Sequence, residues 1–139
     1  MKPIYSPKKN PRVIIIQTLY GKYYNKDQKI AIPKHRFKKF IRDVVFGTIE
    51  RNEVILVEIK KYLDSDININ NQDKVFLIIL KSAIYELLYK PRTSTKIIIK
   101  EYLNASNFFI EDTKTKYLNA LLDKISKGLR LSNEWRNFN

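Results

Sequence analysis

The chain has 139 residues, 44% of them hydrophobic, no cysteine, and a net charge of +13 from 27 basic and 14 acidic side chains. This composition excludes a disulfide scaffold, a cysteine-ligated metal site and a disordered polyelectrolyte; a chain of this size buries roughly two-thirds of its unfolded surface. Its longest apolar run falls far short of the ~20 residues of a membrane span, and so much positive charge attracts polyanions.

The charge is unevenly placed. Residues 1–42 carry a net +11, residues 43–80 a net −3 and residues 81–139 a net +5, so the excess lies at both ends. The N-terminus lacks a signal-peptide pattern. With no cysteine, the chain fits a cytoplasmic location.

Residues 1–11, with Pro3, Pro7 and Pro11, read as a flexible basic arm. Residues 12–25 are ambiguous: Ile14, Ile15 and Ile16 favour a strand by propensity. Val13, Ile16, Tyr20 and Tyr23 nevertheless share one face at helical spacing, which predicts a helix. Pro11 is tolerated at its first position.

After a polar link ending at Pro33, Phe37, Phe40, Ile41, Val44 and Val45 recur at three and four. That is an amphipathic helix with Lys34, Arg36, Lys38, Lys39 and Arg42 on its other sides. Gly47 marks a break or a close helix contact. Ile55, Leu56, Ile59 and Leu63 carry the pattern to about residue 63. Residues 64–73, DSDININNQD, resemble a calcium loop at Asp64, Asp66 and Asn68. The glycine position is Ile69 and the bidentate glutamate position is Val75, so no metal site is expected.

Residues 74–90, KVFLIILKSAIYELLYK, are apolar on nearly every face, the mark of a central buried helix. Asn70, Asn71 or Asp73 suits its start and Pro91 stops it. Thr93, Ser94 or Thr95 caps a helix of about 95–109, although Ile97–Ile99 again offers a strand. Tyr117, Leu118, Leu121, Leu122, Ile125 and Leu129 predict a last helix of about 114–130, followed by a tail at 131–139. The expected fold is all-α, one domain of six or seven helices spanning 12–130.

Catalytic chemistry is sparse. The single histidine, His35, lies in a basic segment, and Gly21, Gly47 and Gly128 are too scattered for a phosphate-binding loop. No serine or threonine has an identifiable base, so no catalytic residue and no cofactor is expected. Binding chemistry is better represented. Lys8, Lys9 and Arg12 cluster at the first helix; Lys114, Lys116 and Lys124 share the last one with Tyr117. Cations neutralise phosphates and an aromatic ring stacks on an unpaired base, which is how single-stranded RNA is held. A core position is the competing reading of Tyr117.

Three blocks carry a resemblance to a known family. Arg12 to Tyr20 is similar to Arg-x-x-Ala-x-Gln-x-Leu-Tyr, with Gln17, Leu19 and Tyr20 matching. Lys81 to Leu87, KSAIYEL, is similar to Arg-x-Ala-x-Tyr-Glu-Leu. Lys116 to Lys124, KYLNALLDK, is similar to Lys-Phe-Val-Asn-Gly-Val-Leu-Asp-Lys. In this order the blocks resemble the NusB family of transcription antitermination factors. The family's opening alanine is Ile15 here, and the link between residues 21 and 39 looks one short helix shorter.

The resemblance implies two small helical bundles sharing the central helix. It implies partnership with a small-subunit ribosomal protein, NusE, within the transcription elongation complex, and binding of box A RNA of nascent ribosomal RNA transcripts. By matching position it assigns RNA contact to Lys8, Lys9, Arg12, Lys116, Tyr117 and Asn119. Two other readings are a domain like the one preceding the catalytic part of ribosomal RNA cytosine methyltransferases, for whose cofactor-binding domain 139 residues leave no room, and a general polyanion-binding helical module.

Overall fold

The computed structural model describes residues 9–63 and 73–138, with side chains up to residue 130. The described residues form six helices and no strand: α1 (Pro11–Tyr24), α2 (Lys38–Glu50), α3 (Asn52–Tyr62), α4 (Lys74–Tyr89), α5 (Thr95–Ser106) and α6 (Asp112–Phe138). Residues 1–8 of the basic arm, Lys8 included, and residues 64–72 of the calcium-like loop lie outside the described residues.

α4 packs against each of the other five helices. That explains its composition: Phe76 through Leu80 and Ser82 through Leu87 are all buried. The hydroxyl of Ser82 causes no penalty there, since it donates back to the carbonyls of Ile78 and Ile79 at 2.9 and 3.1 Å. Asp73 caps the start, accepting from Val75 N–H at 3.0 Å. At the other end Arg130 of α6 donates to the carbonyls of Leu87, Lys90 and Pro91, the acceptors a helix C-terminus leaves open.

α1 starts where Pro11 allows it, with Asn10 accepting from Arg12 N–H at 2.9 Å. It is wedged among α2, α4 and α5, so Val13, Ile14, Ile15 and Ile16 are all buried. The β-branched run is helical because three neighbours cover it, a tertiary demand that outweighs propensity. Each fully buried isoleucine contributes about 1.5–3 kcal/mol. Residues 25–37 hold no helix, in keeping with the short link.

The break between α2 and α3 falls at Arg51, whose N–H returns to the carbonyls of Gly47 and Ile49. Gly47 is the close contact instead: the ring of Tyr85 occupies the space a Cβ would fill. α5 begins at its Ser94 cap, which accepts from Ile97 N–H at 3.2 Å, and turns Ile98, Tyr102 and Ala105 inward. α6 buries Leu118, Leu121, Leu122, Ile125 and Leu129. It starts at Asp112, two residues before the sequence reading has it, and runs through 131–138, the segment read there as a tail.

Candidate nucleic-acid interface

Burial of one stripe of α6 fixes what the opposite stripe shows. With Leu118, Leu121, Leu122 and Ile125 against the core, Lys116, Asn119 and Lys124 face outward. Lys116 and Lys124 make no ion pair among the described residues, whereas Lys127 is held by Asp123 at 3.1 Å. Tyr117 lies at the margin, 37% exposed. Its ring stacks on buried Phe76 of α4, centroids 5.4 Å apart and planes within 7°. One side of the ring is thereby fixed to the core while part of it meets solvent.

The first turn of α6 is anchored next to this stack. Lys114 reaches Asp73 at 3.0 Å. That hydrogen bond is the main cause that holds the Asp73 carboxyl below its ordinary value. The capping residue of α4 therefore also pins the start of α6.

The N-terminal group is divided. Lys9 is exposed. Its carbonyl accepts from His35 Nε2–H at 3.0 Å, since His35 Nδ1 is already accepting from Phe37 N–H at 2.9 Å. Arg12 departs from the expectation of an outward cation: it is 9% exposed. Both arms donate to Glu86, Nε to Oε2 at 3.1 Å and Nη2 to Oε1 at 2.7 Å. Its guanidinium also lies 5.0 Å from the Phe40 ring centroid and 5.5 Å from that of Tyr102. Burial is the largest single effect and would lower the Arg12 pKa, but Glu86, Tyr102 and Glu101 together outweigh it and the net shift is upward. The physical reason for the correction is plain. Glu86 is wholly buried in the apolar central helix, and a carboxylate there needs a charged partner.

Lys116, Tyr117 and Asn119 are thus all exposed within one turn of α6, with Tyr117 and Asn119 on either side of buried Leu118, and Arg12 does not join them. Its partner Glu86 and the partner of Tyr117, Phe76, stand ten positions apart on α4, about 15 Å at 1.5 Å per residue. α1 and α6 make no substantial direct contact. The sequence reading missed Phe76, Asp73 and Glu86 as supports of the site. Glu86 left a signal as a lone carboxylate amid apolar residues, and Asp73 as a candidate cap of the central helix.

These features define a class: an all-helical protein that presents exposed lysines and a partly exposed aromatic ring on one outer helix. Comparison with known proteins narrows it. The NusB family profile matches residues 9–127. The transcription antitermination protein NusB of Haemophilus ducreyi is 29% identical over 133 residues, covering 89% of this chain and 96% of that one. That of Rickettsia bellii is 34% identical over 98 residues, covering 70% of this chain and 60% of its own length; the match to the Mesorhizobium japonicum protein spans 64% of that relative. The solved structure of T. maritima NusB superimposes with a TM-score of 0.79 at 21% identity, over 98% of this chain and 99% of that one. The chain belongs to the NusB family.

Proposed function

We propose that this chain is a non-catalytic, RNA-binding transcription antitermination factor that, with the small-subunit ribosomal protein NusE, binds box A RNA of nascent ribosomal RNA transcripts within the elongation complex. The observation that carries the reading is Tyr117. Its ring rests on Phe76, keeps an accessible part, and is flanked along α6 by Lys116 and Asn119. A pre-oriented ring beside a cation suits an unpaired base and its phosphate. Membership of a family whose curated relatives are named for antitermination supports the role. Lys8 and Lys9 act as further phosphate contacts. Arg12, with its guanidinium engaged by Glu86, acts as a positioning residue that fixes α1 and the segment leading into it.

The test is reconstitution. The purified chain is mixed with the ribosomal protein, the pair is isolated by size exclusion, and labelled box A RNA competes with scrambled RNA at physiological salt. The expected result is a stable pair that prefers box A. Equal affinity for both RNAs would support the general polyanion module instead.

A further inference from the structure

The basic residues of segment 34–42 take no part in the α6 face. On α2 the exposed positions Lys39, Arg42, Asp43, Phe46 and Glu50 share one face through spacings of three and four, opposite buried Ile41, Val44, Val45 and Thr48. Together with Tyr85 and Lys90 at the end of α4 they border an open cleft of about 780 Å³, which Arg36, Phe37 and Phe40 also line.

The charges in the cleft do not cancel. Lys90 pairs with Asp43, and the Tyr85 hydroxyl lies 3.5 Å from the same carboxylate. Arg36, Lys39 and Arg42 then face one remaining acid, Glu50. Two rings are left open to solvent, Phe37 at 48% and Phe46 at 38%. The Arg36 guanidinium sits 5.4 Å from the Phe37 centroid. Surplus cations beside a solvent-exposed ring match a nucleotide, whose phosphate and base need one of each. An acidic peptide would meet the cations and leave the rings uncovered.

The cleft also adjoins the chain's N-terminal segment. His35, just before α2, holds the Lys9 carbonyl, and Phe40, which lines the cleft, also carries the Arg12 guanidinium. With Arg12 turned inward, the α2 cleft supplies outward charge at this end of the molecule. We propose that it is a second RNA contact, taking one unpaired base against Phe46, since the Phe37 ring already carries Arg36 and His35, and adjacent phosphates on Lys39 and Arg42. The inference rests on the RNA-binding reading above.

The test is titration of fluorescently labelled single-stranded RNA carrying box A into the full chain and three variants, Phe46→Ala, Lys39→Gln with Arg42→Gln, and Tyr117→Ala, each checked for unchanged helical circular dichroism. The expected result is roughly fivefold to a hundredfold weaker binding for Phe46→Ala. For the double glutamine variant, the log–log salt slope falls by about 1.4, at ~0.7 per phosphate. If Phe46→Ala binds as the unaltered chain does while Tyr117→Ala is weakened, the cleft proposal is overturned and the α6 reading stands. If the cleft variants are weakened and Tyr117→Ala is not, the cleft stands and the α6 assignment falls. Weakening by the glutamine variant alone overturns base stacking in the cleft and leaves only a phosphate contact there. No binding by the unaltered chain overturns both.

Discussion

The ring of Tyr117 lies parallel to that of Phe76, an offset stack that joins the outer face of α6 to the inner face of α4. Phe76 is 3% exposed, so in the proposed site it would offer RNA nothing directly and would act only by holding Tyr117. Aromatic pairs contribute about 0.5–1.5 kcal/mol beyond their buried area. Phe76→Leu should therefore lower stability by about 1 kcal/mol, and RNA binding should weaken although the contact surface is unaltered. Urea unfolding with RNA titration of the same preparation checks both halves.

Arg12 and Glu86 form a bidentate pair in the interior. Removing one member leaves an uncompensated buried charge, at a cost of about 3–5 kcal/mol, whereas replacing both with apolar groups is often close to neutral. Glu86→Gln leaves Arg12 without its carboxylate and should lower stability by about 3 kcal/mol. Arg12→Met combined with Glu86→Met should recover most of that. Urea denaturation of Arg12→Met, Glu86→Met and the double decides: a double loss equal to the sum of the singles would mean the pair is not coupled.

Gly47 sits under the Tyr85 ring, and that ring is confined by Tyr89 at 5.0 Å between centroids. A methyl group here forces the ring aside, at about 1–3 kcal/mol for overpacking. Better helix propensity returns at most about 1 kcal/mol. Gly47→Ala should thus lower the melting temperature by several degrees. An unchanged or higher Tm would show that the ring moves freely.

The Asp73 carboxyl is held below its ordinary value, so the folded state binds its proton less readily than the unfolded chain does. Its contribution is fully present above the unfolded value of about 3.9 and is lost as pH falls through the lower folded value. Both side chains of the pair are well exposed, which limits it to about 0.5 kcal/mol. Asp73→Asn keeps an acceptor for the Val75 N–H and removes the charge. The variant should be slightly less stable at neutral pH and the gap should close below about pH 4, as thermal melts across pH would show.

The fold was legible because its strongest signals are periodic. Phe40, Ile41, Val44 and Val45 repeat at the spacing of α2, and the apolar run of α4 announces a helix surrounded by others. Even Ile14–Ile16 and Ile97–Ile99, strand-like by composition, resolve as helix once the flanking positions are read at the same spacing. The site was less legible, because a basic residue carries no mark of the direction it faces. Arg12 looks like Lys8 and Lys9 in sequence, yet it points at a glutamate 74 positions away. Gly47 was readable as either a break or a contact; only the position of the Tyr85 ring decides. Tyr117 divides the two readings offered for it, part platform and part exposed surface. The cations of α2 were visible from the start, but the cleft that collects them depends on α4 ending beside them.

The central claim, an RNA surface on α6 built around Tyr117, meets its most direct test in one measurement. Box A RNA is titrated into the complex of this chain with the proposed ribosomal partner, with and without Tyr117→Ala. The account expects affinity to fall at least about fivefold, the loss of one stacked base at ~1–3 kcal/mol, with the complex and its helical content intact. Identical affinity in an intact complex would contradict it.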